Sequence, residues 1–555
     1  LRGKTPTIIF AGSFFLLIIS LVLLGRKAPK VELFPSADPQ YGNAFIEFPV
    51  GTDIEATDAF MVEVEEKISD IVDRNSAIIE AVLAQIGENT GDPNAGPSFG
   101  ASPNKARLSI SFVPSEERGD ISTFDIMEEV RAALKGYPGV QIVVDKNQDG
   151  PPTGKPINIE IQGEEVDQLT QISADLIKFI NEQNIAGIEE LKKDVQFSKP
   201  ELIINVDREA ARRFGLSTYS ISDAIRTSVF GKEVSKFKTN DEDYPIQLRA
   251  KDVSRNNISE ILNQAITFRN PANGRITQVP IAAVADIEYS TSYTSINRKD
   301  QERVITINSN VLDGYNANEI VNTIQTKAQA FNLPDGYTIT FTGEQEEQAE
   351  AVEFLTTALL IAIFSIFLII VAQFNSVSSP FIIIISVLFS TIGVFFGYVL
   401  TNMNIVVIMT GVGIISLAGI VVNNAIVLID YTNLLVKNKR DELGLKEGEK
   451  LDEEEVKKSI IKGGETRLRP VLLTAITTVL GLIPLAVGFN FDFFNLIQNT
   501  DPNSSWGGDN AKFWGTMAWT VIYGLVFATF LTLIVVPTMY WIAFRIKNSK
   551  LFSHK

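Results

Sequence analysis

Six apolar runs constrain this chain more than any other feature. They cover roughly residues 7–24, 351–373, 379–400, 404–430, 470–490 and 514–543. Each is long enough to cross a hydrocarbon core of ~30 Å as a helix. Backbone groups in hydrocarbon have no water to bond, so such runs are expected to be helical. The first run stands alone near the N-terminus, flanked by Arg2, Lys4 and Arg26. No small-residue cleavage site precedes RKAPKVELFP, so the run reads as a span rather than a signal peptide. The remaining five follow about 320 residues of soluble character, and the sequence opens on Leu1, which reads as less than an intact translation product.

Composition narrows the function. The 555 residues carry a net charge of −17, no cysteine and one histidine, His554, in a basic tail. That excludes disulfide staples and cysteine or histidine metal cages, and argues against a Ser-His-Asp or Cys-His enzyme. An acidic balance also argues against nucleic acid, which needs a basic footprint. No cofactor is implied.

Orientation follows from the cations. The stretch 437–469 contains ten Lys/Arg residues, and Arg545, Lys547, Lys550 and Lys555 lie in the tail. On the other side, TNMN (401–404) has none and 491–512 has only Lys512. The positive-inside rule puts 437–469 and both termini in the cytoplasm and residues 27–348 across the membrane.

The soluble region alternates strand and helix periods. NAFIEFPVG (43–51) reads as a strand, 53–73 as a helix with Met61, Val64, Ile68 and Ile71 on one stripe, and 77–87 and 105–114 as strands. A helix at 121–136 and the strand VQIVVD complete a βαββαβ unit, the ferredoxin-like arrangement. A second unit starts at INIEIQG (157–163), with a helix at 165–182, and resumes at RVITINSNV (303–311), a helix at 316–331 and YTITFTG. The material between reads as an inserted domain. The expected organisation is a first span at 1–27, one subdomain at 28–155, a second at 156–200 with 291–345, and an insertion at 201–290. Spans two to four then fill 346–436, the cytoplasmic loop 437–469, spans five and six 470–545, and a tail 546–555. The fold class is an α+β membrane protein with six transmembrane helices and ferredoxin-like subdomains.

Several strings resemble the resistance–nodulation–division (RND) transporters, in particular the AcrB-type exporters of hydrophobic and amphiphilic compounds. They are FPVGTDIEAT (48–57), GPPTGKPINIEIQG (150–163), VDREAARRFGLS (206–217), GIVVNNAIVLIDY (419–431) and RLRPVLLTAITTVLGLIPLA (467–486). Members normally have two six-span repeats, and this chain resembles the second. The resemblance implies a proton/substrate antiporter of the Gram-negative inner membrane, not an enzyme, with two periplasmic porter subdomains and a docking-type insertion. It implies as partners an N-terminal six-span repeat, in the same or a separate chain, and a homotrimer. It also implies a periplasmic adaptor, an outer-membrane channel, membrane lipid and amphiphilic small molecules.

The intramembrane polar residues give two readings. Gly411, Ile415, Gly419 and Asn423 recur every four residues, Asp430 returns to that face, and Asn424 lies about 100° round the helix. Interhelical hydrogen bonding and a place on a proton path both account for the asparagines. An amide cannot carry a proton at physiological pH, so this half has no midplane acid or base. The resemblance implies that the helix pairs with one bearing adjacent aspartates, and that Thr474 and Arg467 belong to the coupling network. The best-known members have Lys where this chain has Asn423, so the fixed cation is missing here. Asp430 otherwise reads as a solvated helix-end residue, Thr474 as bonded to its own helix, and Arg467 as a cytoplasmic anchor.

The loop 86–105 is rich in glycine, proline and asparagine and too long for a simple hairpin. It stands where the family's substrate-gating loop stands, which makes Gly87, Gly91, Phe99 and Gly100 candidate gating or pocket residues; a plain surface loop is the alternative. Phe112 alternates with core positions and reads as packing, and 241–249 as an edge strand. The six methionines are scattered, which argues against a soft-metal substrate. Two rivals stand beside the exporter: a non-transporting RND-like assembly or binding subunit, and a protein-export accessory protein.

Overall fold

The structure is a computed structural model that describes residues 3–548 apart from 28, 36–37, 92–101, 120, 147–153, 195–198, 240–241, 256, 270–273, 293–295, 313, 446–450, 492, 501 and 503. Contacts divide the chain into two compact units, one of residues 1–194 with 297–555 and one of residues 195–296.

The first unit begins with α1 (Thr5–Lys27), β1 (Val31–Glu32), β2 (Tyr41–Glu47), α2 (Ile54–Arg74), β3 (Ile79–Gly87), β4 (Ser102–Phe112), α3 (Thr123–Ala133) and β5 (Gln141–Lys146). It continues with β6 (Ile157–Gly163), α4 (Val166–Glu182) and β7 (Lys192–Lys193). The second unit contains β8 (Lys199–Val206), α5 (Arg208–Phe214), α6 (Thr218–Val229), β9 (Lys232–Lys238), β10 (Asp243–Leu248), α7 (Asp252–Arg255), α8 (Ile258–Asn263), β11 (Ala265–Arg269), β12 (Ile276–Pro280) and β13 (Ala285–Ser292). The first unit resumes with β14 (Asn297–Lys299), β15 (Glu302–Ser309), α9 (Ala317–Ala328), β16 (Thr338–Phe341), α10 (Glu344–Phe374), α11 (Ser378–Thr401) and β17 (Ile405–Val406). It ends with α12 (Val407–Glu442), α13 (Glu453–Val487), α14 (Phe493–Asn499) and α15 (Asp509–Asn548).

The first sheet has the order β3-β4-β2-β5 with every pairing antiparallel, the ferredoxin-like order for βαββαβ connectivity. The α2 stripe of Met61, Val64, Ile68 and Ile71 packs with Ile126, Met127 and Val130 of α3 against Ala44, Ile46, Leu108, Ile110 and Phe112 of the sheet. Asp53 and Ser122 cap these helices, each accepting from the backbone of the first turn.

The second sheet repeats this order around β15, β6 and β16, but its remaining strand is composite. β14 lies against residues 302–304 of β15 and β7 against 307–308 on the same edge, both antiparallel to it. Asp194 continues β7 with hydrogen bonds to Thr306, its N–H donating to the carbonyl (2.9 Å) and its carboxylate accepting from the amide (2.8 Å). Asn297 then donates to the other carboxylate oxygen of Asp194, at 2.8 Å. The chain therefore leaves and re-enters the sheet within one strand slot.

The second unit closes on itself. β8 pairs with β13 over its full length, from Val206↔Ala285 to Lys199↔Ser292, and Ala210, Ala211, Leu216, Ile221, Ile266 and Ile281 fill its core. β9 and β10 form a hairpin that is exposed at every position described.

The helices α1, α10, α11, α12, α13 and α15 are long and apolar enough to cross a membrane. α15 is the hub, packing against α11, α12, α13 and α1. Its neighbours approach through small residues. A Cβ on Gly393 of α11 would sit 2.5 Å from the Tyr523 carbonyl oxygen, and one on Gly397 2.3 Å from the Tyr523 ring. Gly413 of α12 lies against Thr520, and Gly524 of α15 admits Leu417. Buried among them, the Tyr398 hydroxyl is 2.8 Å from the Oγ1 atoms of both Thr410 and Thr520. Thr520 donates to the Thr516 carbonyl at 2.7 Å, so its oxygen must accept from Tyr398 and Tyr398 must accept from Thr410. One directed chain of hydrogen bonds thus fixes α12, α11 and α15 together.

The charged stretch 437–469 differs from the loop expected for it. α12 continues to Glu442 and α13 begins at Glu453. Lys439–Glu442, Lys457–Glu454 and Lys458–Glu455 pair three residues apart, and Leu451, Val456, Ile460 and Trp541 form a small core beneath them. Good helix formers with tertiary support outweigh a polar composition. At the other end of the bundle, β1 pairs with β17 in parallel, and Lys27 Nζ donates to the Val399 carbonyl at 2.6 Å. Gly393→Ala is expected to lower the thermal midpoint of the detergent-solubilised chain, at a cost of ~1–3 kcal/mol from overpacking. Gly481→Ala, with nothing within 4 Å of its added Cβ in the interior of α13, is expected to leave the midpoint unchanged or raise it. Equal midpoints would contradict the close α11–α15 approach.

Candidate functional site

The one-residue offset between Asn423 and Asn424 turns them to different surroundings. Asn424 is 7 % exposed and its Oδ1 accepts from Thr474 Oγ1 of α13 at 3.2 Å. The same threonine hydroxyl is 2.9 Å from the Val471 carbonyl of its own helix, so one proton is shared between a local and an interhelical acceptor. Asn423 is exposed on α12, in line with exposed Ser416, Gly419 and Asp430. Space beside Gly419 is open, whereas Gly411 on the same stripe meets Leu355 of α10. On α13, Leu473, Ile476 and Leu480 are exposed. The α12–α13 face is therefore an open surface crossed by one amide–hydroxyl bond.

Of the five residues read as relay candidates, the structure joins Asn424 to Thr474. The Arg467 guanidinium lies over the Tyr431 ring, 4.5 Å from its centroid. Asp430 has no ion-pair partner among the described residues, Arg467 included. In the loop after β3, Gly87 ends the strand at φ +79° opposite Ser102, and the Gly91 carbonyl accepts from Arg107 Nη1 at 3.1 Å. Phe99 and Gly100 lie outside the described residues. Phe112 is wholly buried in the first sheet's core.

Two further polar clusters escaped sequence reasoning because their members are far apart in the chain. Between the two sheets, Asn310 donates to Asp145 (3.2 Å) and to Glu189 (3.1 Å), Arg131 stands 3.3 Å from Glu189, and Lys155 pairs with Asp145. Burial pushes the Glu189 carboxyl above its ordinary range, with Arg131 and Asn310 opposing, and burial lowers the Lys192 ammonium nearby. At the start of α15, Lys512 Nζ is 2.9 Å from Asp38 Oδ2 and 3.5 Å from Ser115 Oγ, linking the hub helix to the first sheet's surroundings. Burial alone would raise the Asp38 carboxyl. Hydrogen bonds from Lys512 and Ser122, with the charges of Lys512 and Arg118, hold it below the usual value.

The fold as a whole has counterparts in known proteins. Over residues 4–544 the chain matches the AcrB/AcrD/AcrF family. It belongs to that family, and so to the RND superfamily of transporters. It is 27 % identical over 364 residues to the cobalt-zinc-cadmium resistance protein CzcA of Cupriavidus metallidurans, covering 65 % of this chain and 31 % of that protein. To the swarming motility protein SwrC of Bacillus subtilis it is 26 % identical over 407 residues, covering 73 % of this chain and 35 % of that protein. A crystal structure of a heavy metal efflux pump superposes with a TM-score of 0.75 at 20 % identity, over 98 % of this chain and 50 % of that one. The chain spans about a third of the length of these curated relatives and about half of the solved pump.

Asn424→Leu is expected to cost this chain about 0.6 kcal/mol, the mean worth of an interhelical hydrogen bond in a membrane bundle. Asn423→Leu should cost it nothing. Unfolding in mixed micelles measures both, and the reverse order would contradict the assignment of faces. For Asp38, a lowered folded-state value means stabilisation that is full above the ordinary carboxylate value and is lost as pH falls through the lowered one. Relative to Asp38→Asn, the native chain should therefore lose extra stability below about pH 4. Parallel pH profiles would show that the Lys512 contact contributes nothing.

Proposed function

We propose that this chain forms one six-span half of a proton-driven exporter of hydrophobic or amphiphilic compounds in a Gram-negative inner membrane. The soluble sheets lie on the periplasmic side in this reading. The observation that carries it is the uncharged polar seam of Asn423, Asn424 and Thr474 on the open α12–α13 face. The apolar stretches 5–25, 354–374, 378–401, 407–429, 470–487 and 513–544 contain no Asp, Glu, Lys, Arg or His. An amide can orient and hydrogen-bond a carboxyl group but cannot carry its proton. The titrating acid is then supplied by another six-span segment seated on this face. Exposed Asn423 meets that acid, while Asn424 and Thr474 hold α13 in register behind it. A trimer working with an adaptor and an outer-membrane channel completes the proposed assembly. Loop 86–105, with Gly87, Gly91, Phe99 and Gly100, gates the substrate.

A metal cargo is the second reading, favoured by the relatives named for metal resistance and metal efflux. Against it, the chain has no cysteine, one histidine at the tail and six dispersed methionines, so soft donors would have to come from elsewhere. The test is expression of the pump with its completing six-span segment in a Gram-negative host lacking its own exporters. Resistance to amphiphilic dyes and detergents should rise, and a protonophore should abolish dye efflux. Asn423→Leu should lower efflux per assembled pump. Resistance confined to cobalt, zinc or cadmium would overturn the substrate reading, and protonophore-insensitive efflux would overturn the proton drive.

A further inference from the structure

The connection between α13 and α15 is a built element rather than a slack link. Its neck is pinned where two glycines cross. Gly488 adopts φ +70°, and a Cβ there would lie 2.5 Å from the Gly507 carbonyl oxygen and 2.4 Å from Ala511 Cβ. Gly507 N–H donates to the Gly488 carbonyl at 2.9 Å. One step outward, Asn490 and Ser505 exchange backbone hydrogen bonds of 2.9 and 3.2 Å. Only glycine tolerates both the backbone conformation and the close crossing at 488.

Beyond the neck the segment is aromatic and outward-facing. Trp506 packs on Phe489 with ring centroids 4.9 Å apart, and Phe491 meets Phe493 at 4.7 Å. Trp506, Phe493, Phe494 and Ile497 are 70, 68, 81 and 79 % exposed. On α14, successive residues turn about 100°, so Phe493, Ile497 and Phe494 share one arc while Asn495, Gln498 and Asn499 occupy the opposite side. The short helix is amphipathic, and in water its apolar arc would be a costly exposed patch.

Position identifies the occupant of that arc. The segment joins the ends of two membrane helices, and Lys512 beside it reaches Asp38 and Ser115, so it lies at the end of the bundle that carries the sheets. Five residues separate α14 from the apolar stretch that ends at 487, and the Gly488–Gly507 crossing brings the chain back beside that same end before α15, so its depth is that of the lipid headgroups. Tryptophan and phenylalanine with amides on the opposite side is the composition of a helix lying in a bilayer interface. We propose that the described residues of 488–508 form an interfacial paddle, its Phe493–Ile497 arc and Trp506 embedded in the leaflet on the sheet-bearing side. A lipid surface is the partner. The paddle fixes the height of α15 in that leaflet, and with it the height of the Lys512–Asp38 contact. This inference needs only the six spans and stands apart from any choice of cargo.

The absence of native cysteine makes the test direct. Ile497→Cys and Gln498→Cys, each made in the full chain, carry a nitroxide and are reconstituted in phosphatidylcholine vesicles. Collision rates with oxygen, which concentrates in lipid, and with a water-soluble nickel chelate are read by paramagnetic resonance. The expected result is a several-fold higher oxygen-to-nickel ratio at 497 than at 498. Equal, nickel-dominated collision at both sites would mean that the segment projects into water and would overturn the proposal. Shielding of 497 from both agents would overturn it too, in favour of a protein cover.

Discussion

The span bundle depends on how closely α11 and α12 approach α15. Lipid tails are as apolar as leucine, so helices in a bilayer gain little from hiding apolar surface against each other. Contact must come from fit and from hydrogen bonds. Here glycines at 393, 397, 413 and 524 let backbones meet side chains at van der Waals distance. The chain from Thr410 through Tyr398 to Thr520 then locks the rotation of α12. Turning α12 by one residue would bring Asn423 inward, but would tear Thr410 from Tyr398 and lift Gly413 off Thr520. The inward placing of Asn424 and the outward placing of Asn423 therefore follow from contacts more than a helical turn away.

The same hub reaches the soluble sheets by a short route. α15 begins beside Lys512, whose ammonium touches Asp38 and Ser115, and α12 begins beside β17, whose backbone pairs with β1. The first enters the chain just before β2 and after β4 of the first sheet, and the second at β1, upstream of β2. Small tilts of the two helices would be felt there as displacements of strand ends. In the proposed proton cycle, that is the path by which a change on the α12–α13 face would reach the two sheets.

Much of this was legible in the sequence. Apolar runs forced the six spans, and period-two and period-3.6 patterns separated strands from helices as far as the second sheet. The stripe Met61, Val64, Ile68 and Ile71 packs as its spacing requires. What failed to show depended on partners remote in sequence. Charged helix in 437–442 and 453–469 read as loop because its stabilising contact is Trp541, far along the chain. GVFFG (393–397) carried a packing signal that composition alone does not aim at any neighbour. Spacing placed Asn423 and Asn424 about 100° apart, but only the packing of α12 against α11, α13 and α15 decides which of them is covered. Asp145, Glu189 and Asn310 come from three different strand ends or turns and share no pattern at all.

The composite strand of the second sheet has a consequence for the chain's modularity. Asp194 sits opposite Thr306 and Asn297 opposite Val304, so only the position facing Ile305 separates them. Two strand steps amount to about 7 Å, a gap that a single residue would fill. The sheet thus registers the whole 195–296 unit as a one-residue interruption. The unit meets that constraint itself, because the pairing of Lys199 with Ser292 zips its two ends together at the neck. A unit of another size would meet the same spacing at the sheet if it too brought paired ends.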